Sequence, residues 1–218
     1  MLTIVEGRVL GCLMEKERTV PDQYPLTMNA LLSACNQSTS RDPVMRLDEH
    51  EILNAITSMK AAGLARLVHP SHGRSATRYR HVADEQFGLE PGPAALMAVM
   101  LLRGPQTLSE LRTRSERQHG FTSFDEVEAT LRELADRGLV QQLERQPGQK
   151  ETRWQQLIAE EAAPSAPPAF RPAADWAPVQ PATAVAVAPP PEDPDLAARV
   201  EELEARVAKL EAALADLL

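Results

Sequence analysis

The chain has 218 residues, 43% of them hydrophobic, enough to bury a sizeable core in one or two domains, and its formal net charge of −8 would exclude nucleic acid if it were spread evenly. It is not: residues 1–158 hold 19 basic against 20 acidic residues and residues 159–218 hold 4 against 11, so the acidity belongs to the tail. No apolar run approaches the roughly 18 residues of a membrane span, and the start lacks the basic and apolar regions of a signal peptide, so a cytoplasmic protein without a membrane partner is expected. Cys12 and Cys35 form no C-x-x-C and lie in no His cluster, which points to buried reduced thiols, no metal site and no cofactor.

Residues 3–18 place Val5, Val9, Cys12, Leu13 and Lys16 at helical spacing, as an opening helix that packs on the core. Pro21-Asp22-Gln23-Tyr24-Pro25 breaks the pattern, and Thr27 is placed to cap a second helix through Leu31, Leu32 and Cys35. A polar insert over residues 36–43 then separates this helix from the next. Its amides, hydroxyls and Arg41 suit contact with phosphate, and they equally suit a turn in which such side chains bond their own backbone.

Asp48 and Glu51 have the spacing of a capping box, Ile52, Ile56 and Met59 follow on one stripe, and Gly63 stands where a left-handed C-terminal cap is needed. Two apolar runs, residues 64–68 and 77–82, flank the turn-forming Pro70-Ser71-His72-Gly73. Helix, strand, basic turn, strand is the back half of a winged helix. Between residues 52 and 83 there is no acidic side chain, whereas Lys60, Arg66, Arg74, Arg78 and Arg80 supply about five positive charges. The face opposite the apolar stripe carries His50, Asn54, Thr57, Ser58 and Ala61, small groups able to approach base edges. The candidate DNA contacts are therefore Asn54, Thr57, Ser58, Lys60, Arg74, Arg78 and Arg80, with Arg41 in the insert. A solvated helix and hairpin that happen to be basic would give the same pattern.

A shift of 75 positions brings Glu51, Gly63, Leu64, Gly73, Thr77 and Arg78 onto Glu126, Gly138, Leu139, Gly148, Thr152 and Arg153. The apolar Ile52, Ile56, Met59 and Val68 meet Val127, Leu131, Leu134 and Leu143, and Tyr79 meets Trp154. Ahead of these, Leu96, Val99, Met100 and Leu102 make an opening helix, and Thr107 with Glu110 forms another capping box. The fold class expected is mainly α with small β-hairpin wings, as tandem winged helix-turn-helix domains over residues 1–83 and 91–158. In the second copy the outward face carries Asp125, Ala129, Arg132, Glu133 and Asp136, whose carboxylates would oppose phosphate, so DNA contact falls mainly to the first copy and a packing, dimerising or protein-partner role to the second.

Residues 159–195 hold ten of the 18 prolines and read as an extended Ala/Pro-rich spacer. Over residues 196–218, Leu196, Leu203, Leu210 and Leu217 alternate with Val200, Val207 and Leu214 in heptads, a coiled-coil helix. With β-branched residues at a and Leu at d, and with Arg199 and Arg206 at g facing Glu204 and Glu211 at e of the partner, a parallel homodimer is expected. A single amphipathic helix docking on its own body is the alternative.

Several stretches resemble the YceH-like proteins of bacteria: Glu15-Lys16-Glu17 with Pro21-Asp22-Gln23-Tyr24-Pro25-Leu26, Ala34-Cys35-Asn36-Gln37 with Arg41-Asp42-Pro43-Val44-Met45, and Leu101-Leu102-Arg103-Gly104-Pro105-Gln106-Thr107 with Glu110-Leu111-Arg112. The resemblance covers residues 3–158 and resumes in the heptads, and it implies a tandem winged-helix fold without supplying a reaction, ligand or operator. Members usually carry Lys after the Asn-Gln pair, where this chain has Ser38, one charge fewer in the insert. The first expectation of function is a DNA-binding transcriptional regulator; the second is a protein-interaction adaptor built on the same fold. An enzyme is least expected, with no catalytic residues assigned, because no G-x-S-x-G, metal-ligand pair or Gly-rich loop after a strand occurs.

Overall fold

In the computed structural model residues 1–69, 76–145, 151–161 and Arg206 are described. The chain divides into two units, Met1–Pro168 and Ala169–Leu218, and the fold set out below is that of the first. It is mainly helical, with seven α-helices and two small antiparallel sheets among the described residues. Of the second unit only Arg206 is described, helical and exposed, so the heptad residues Leu196, Val200, Leu203, Val207, Leu210, Leu214 and Leu217 lie outside the described residues.

Five of the seven helix starts among the described residues carry a side-chain cap. Thr3 accepts from the Glu6 N–H while the Thr3 N–H donates to the Glu6 carboxylate, a reciprocal cap for α1 (Ile4–Thr19). After a 3₁₀ turn (Pro21–Gln23) and the two-residue strand β1 (Leu26–Thr27), the Thr27 hydroxyl caps α2 (Met28–Cys35). Asp48 and Glu51 form the expected capping box on α3 (Glu49–Ala61), which ends at Gly63 with φ +72°. Strands β2 (Ala65–Val68) and β3 (Arg78–His81) pair antiparallel, and β1 adds to the free edge of β3, giving the order β1-β3-β2. A short helix α4 (Ala83–Phe87), which the sequence pattern did not signal, follows at once.

The second half repeats this sequence of elements: α5 (Pro91–Arg103), α6 (Leu108–Ser115), α7 (Phe124–Asp136), β4 (Val140–Leu143) and β5 (Arg153–Gln156). Thr107 with Glu110 makes the expected capping box on α6, Ser123 caps α7 at the position equivalent to Asp48, and Gly138 ends α7 at φ +70°. The repetition extends to single hydrogen bonds. Leu64 N–H donates to the Met59 carbonyl and Leu139 N–H to that of Leu134; Val82 N–H reaches Leu64 and Leu157 N–H reaches Leu139. Leu26 pairs with Tyr79 on β3, and Gln106 pairs with Trp154 on β5. The layout is winged-helix-like. The turn residues Gly73 and Gly148 lie outside the described residues.

The two halves close on one core. α5 is buried along its whole length from Ala94 to Leu102, and α1 from Glu6 to Met14, because each is covered on all sides and they pack chiefly against one another. Gly7 and Gly11 allow the approach: a Cβ at Gly7 would stand 2.8 Å from the Ala159 Cβ, and one at Gly11 would stand 3.0 Å from Leu101 and Leu102 atoms. Cys12 and Cys35 are buried, free thiols in this core. Leu2 is tied to residues 158–160, since Leu2 N–H donates to the Ile158 carbonyl and Glu160 N–H to that of Leu2, both at 2.8 Å. The fold therefore runs past the break expected at Ala159. That residue is buried, and Gln156 Nε2 bonds both its carbonyl and the Glu161 carboxylate. A composition boundary could not reveal this, because Ala-Glu-Glu fits a spacer as well as a strand end.

Candidate nucleic-acid interface

The outward face of α3 is where the sequence pattern places the reader. Asn54, Thr57, Ser58 and Lys60 are all exposed, and Ile52, Ala55, Ile56 and Met59 hold the opposite face in the core. Asn54 Nδ2 lies 3.2 Å from His50 Nδ1, and the Thr57 hydroxyl bonds back to the Leu53 carbonyl, so neither polar group swings freely. Ser58 looks partly inward. Burial would raise the Glu6 carboxyl on α1, and hydrogen bonds from Ser58 and Thr3 outweigh that and hold it below its usual range. Lys60 has no ion-pair partner among the described residues.

The basic ribbon beside α3 is less free than its composition suggests. Glu85 on α4 joins Arg66 Nη2 at 3.1 Å and Arg80 Nη2 at 3.3 Å, and Arg80 Nε also donates to the His81 carbonyl. The stretch without acidic residues ends two positions short of the carboxylate that pairs with two of its five cations. Arg78 Nη1 donates to the carbonyls of Gln23 and Pro25, the latter at 2.8 Å. In the second half Arg153 Nη1 donates to the Pro105 carbonyl at 2.9 Å, so the same arginine braces the same strand edge in both copies. Arg78 is thus a strut first, and any phosphate contact would share its guanidinium. Arg74 lies outside the described residues.

Arg41 is a correction. It is buried, with Nη1 and Nη2 on the Glu15 carboxylate at 3.2 and 2.7 Å, Nε on the Ala34 carbonyl, and further bonds to the Ser40 carbonyl and Gln37 Oε1. A guanidinium engaged this fully has no donor to offer a phosphate. Asn36 likewise closes the insert on itself, exchanging both amide functions with the Leu47 backbone at 2.7 and 2.8 Å, and Arg8 bonds the Cys35 and Pro43 carbonyls. Of the two readings open for the insert, the turn-forming one describes these side chains. A residue that pattern reading passed over is Arg46, exposed two positions before the α3 cap and with no ion-pair partner among the described residues. A lone cation in the turn ahead of a third helix is the signal that could have found it.

On α7 the corresponding face is acidic. Arg132 pairs with Glu128, Arg137 pairs with Glu133 and donates to the Phe87 and Gly88 carbonyls, and Asp125 and Asp136 have no cationic partner among the described residues. Phe124, 45% exposed, carries the Arg112 guanidinium 4.7 Å above its ring.

Comparison with known proteins agrees with the resemblance noted in the sequence. Residues 2–149 match the family described as "Protein of unknown function, DUF480". The chain belongs to this DUF480 family. It is 48% identical over 163 residues to a UPF0502 protein of Geobacter sulfurreducens, covering 74% of each chain, and 49% identical over 172 residues to one of Geotalea daltonii, covering 77% of this chain and 78% of that one. A UPF0502 protein of Burkholderia pseudomallei is 48% identical over 172 residues, covering 77% and 71%. The YceH-like naming is consistent with this DUF480 family. In this DUF480 member the motif residues serve as clamps: Glu17 bonds the buried His81 ring at 2.8 Å, the Tyr24 hydroxyl accepts from the His81 N–H, and Pro25 receives Arg78. Burial pushes the Tyr24 hydroxyl pKa up, which keeps it neutral. No helix among the described residues is long and apolar enough to cross a membrane.

Proposed function

We propose that this protein binds double-stranded DNA as a transcriptional regulator in the cytoplasm, built as two tandem winged helices. In this reading α3 of the first winged helix enters the major groove, and the second makes packing or protein contacts. The observation that carries it is the exposed face of α3, with Asn54, Thr57, Ser58 and the unpaired Lys60, and the exposed Arg46 ahead of its N-terminus. The acidic face of α7 supports the division of labour, since like charge at phosphate distance lowers affinity. The tail joins two chains as a parallel coiled-coil homodimer, which gives a weak reader a tethered twin.

Binding of the full chain to sheared genomic DNA, followed across 50 to 200 mM salt and by sequencing of the retained fragments, tests this reading. Lys60→Ala should lower the log–log salt slope by about 1 at every sequence, and Asn54→Ala should cost about 1–3 kcal/mol on the selected site only. A retained pool without sequence preference, together with an unchanged slope in Lys60→Ala, would reject it.

The adaptor reading has its own support. Leu53 is 44% exposed on α3 and Val44 is 54% exposed in the loop before it, apolar groups suited to a protein surface, and Glu85 removes positive charge from the ribbon. The same experiment separates the two readings, since an adaptor of this kind would show no salt-dependent retention.

A further inference from the structure

A second basic site lies away from α3, in a cavity of about 230 Å³ between the end of α1, the tip of the insert, and the C-terminal turns of α5 and α6. Lys16, Arg103, Arg114 and Arg117 line it against a single carboxylate, Glu15. Glu15 is already held by Arg41 from behind and by Lys16 at 3.2 Å. Arg114 is tied to Glu110 and Gln106, but Arg103 and Arg117 have no ion-pair partner among the described residues. Burial first, and then the neighbouring cations Arg114 and Arg41, hold the Arg103 guanidinium below its ordinary pKa. Arginine stays protonated even so, so the cavity keeps three more positive than negative side chains on its wall in a protein of net charge −8.

The remaining lining narrows the chemistry. Thr39 and Ser40 offer hydroxyls at the mouth, and Gln37 and Gln118 bring amides. The Gln118 Oε1 atom is buried with no hydrogen-bond partner among the described residues. The phosphate of a monoester dianion carries no O–H, so a phosphorylated occupant meets these hydroxyls and amides as a donor only through hydroxyls on its carbon skeleton. Only Val20, Val99 and Leu102 are apolar among the lining residues and none is aromatic, so nothing is present to stack a nucleobase.

We infer that this cavity binds a small phosphorylated polyol of sugar-phosphate size, its phosphate on Arg103 and Arg117 and its hydroxyls among Thr39, Ser40 and Gln118. The guanidinium forks suit phosphate oxygens in paired hydrogen bonds. Because α1 and the insert come from one half of the fold and α5 and α6 from the other, the ligand would bridge the two halves and stabilise the whole unit. The site stands apart from the α3 face and does not depend on the DNA reading.

Calorimetric titration and thermal melting of the full chain with ribose 5-phosphate test it, beside ribose, inorganic phosphate and sodium chloride at matched ionic strength. Ribose 5-phosphate is expected to saturate one site and, at a hundredfold excess over Kd, to raise Tm by about 5 °C or more. Ribose and chloride should do neither, and inorganic phosphate should bind more weakly. The double variant Arg103→Gln/Arg117→Gln should lose at least tenfold in affinity. Arg117→Gln alone, at an exposed position that leaves the core intact, should show a smaller loss, and Gln118→Leu should weaken ribose 5-phosphate while leaving phosphate unchanged. Equal responses to chloride and ribose 5-phosphate, or binding unchanged in Arg117→Gln and the double variant, would overturn the proposal. So would a result in which ribose 5-phosphate fails to bind and the double variant instead lowers the salt slope for duplex DNA, since the cations would then be a nucleic-acid track.

Discussion

Arg41 shows how burial changes the meaning of a charge. In sequence it is a lone cation in a polar insert; in the fold it closes a bidentate pair with Glu15 inside a shell of carbonyls. Breaking a buried pair leaves its partner charged and unsatisfied, so Arg41→Met is expected to cost about 3 kcal/mol or more, read as a fall in the urea midpoint, with no change in the salt slope for DNA while the variant is folded. Burial works to raise the Glu15 carboxyl, yet Arg41 and Lys16 hold it below its usual value, and Glu110 is likewise held low against burial by Thr107, Arg114 and Arg153. A carboxyl with a depressed folded pKa adds stability that is complete above its unfolded value, about 4.3, and disappears as pH falls through the folded one. Stability should therefore drop below about pH 4.5, and Glu15→Gln, though less stable at pH 7, should lose less between pH 6 and pH 3 than the parent. Parallel urea-midpoint curves for the two proteins would rule Glu15 out as the acid-labile group.

At the scale of elements the closest fit is around α1, where Gly7 and Gly11 stand one turn apart and bare backbone meets Ala159 and α5. Alanine normally favours a helix over glycine by about 1 kcal/mol, but at Gly7 its methyl would lie 2.8 Å from the Ala159 Cβ, an atom that cannot rotate away. Overpacking of this kind costs about 1–3 kcal/mol, so Gly7→Ala is expected to destabilise by about 1 kcal/mol net. Gly120→Ala, with nothing within 4 Å of the new Cβ, should stay within about 0.5 kcal/mol, and equal effects of the two in urea melts would show that α1 is not held so closely against Ala159.

At the scale of the whole molecule, the proposed homodimer depends on the tail. Leu203→Lys with Leu210→Lys in the full chain would set four cations into the seam of a two-stranded coil, and sedimentation at tens of micromolar should move from dimer to monomer. An unchanged dimer would place the contact elsewhere, and a parental monomer would favour the helix docking on its own body. If the dimer serves two half-sites, the same variant should lose affinity for the selected DNA fragments by at least tenfold through lost effective concentration.

Local chemistry was legible in the chain. The caps at Thr27, Asp48 and Thr107, the left-handed glycines 63 and 138, and the 75-residue repeat follow from short-range hydrogen bonding and periodicity, and neighbours in sequence carry these. The exposed face of α3 was legible for the same reason, because 3.6-residue periodicity assigns sides before any packing is known. Which charges are free was not. Glu15 reaches Arg41 from 26 positions away, Arg78 reaches Pro25 from 53, and Glu85 gathers two arginines from different strands. The acidic partner that takes up part of a basic stretch is chosen by the path of the chain in space, and so is a cavity whose cations come from α1, α5 and α6 and the turn after it. Local pattern determined the elements and their faces; only the tertiary structure decided which polar groups hold the fold together and which remain to meet a ligand.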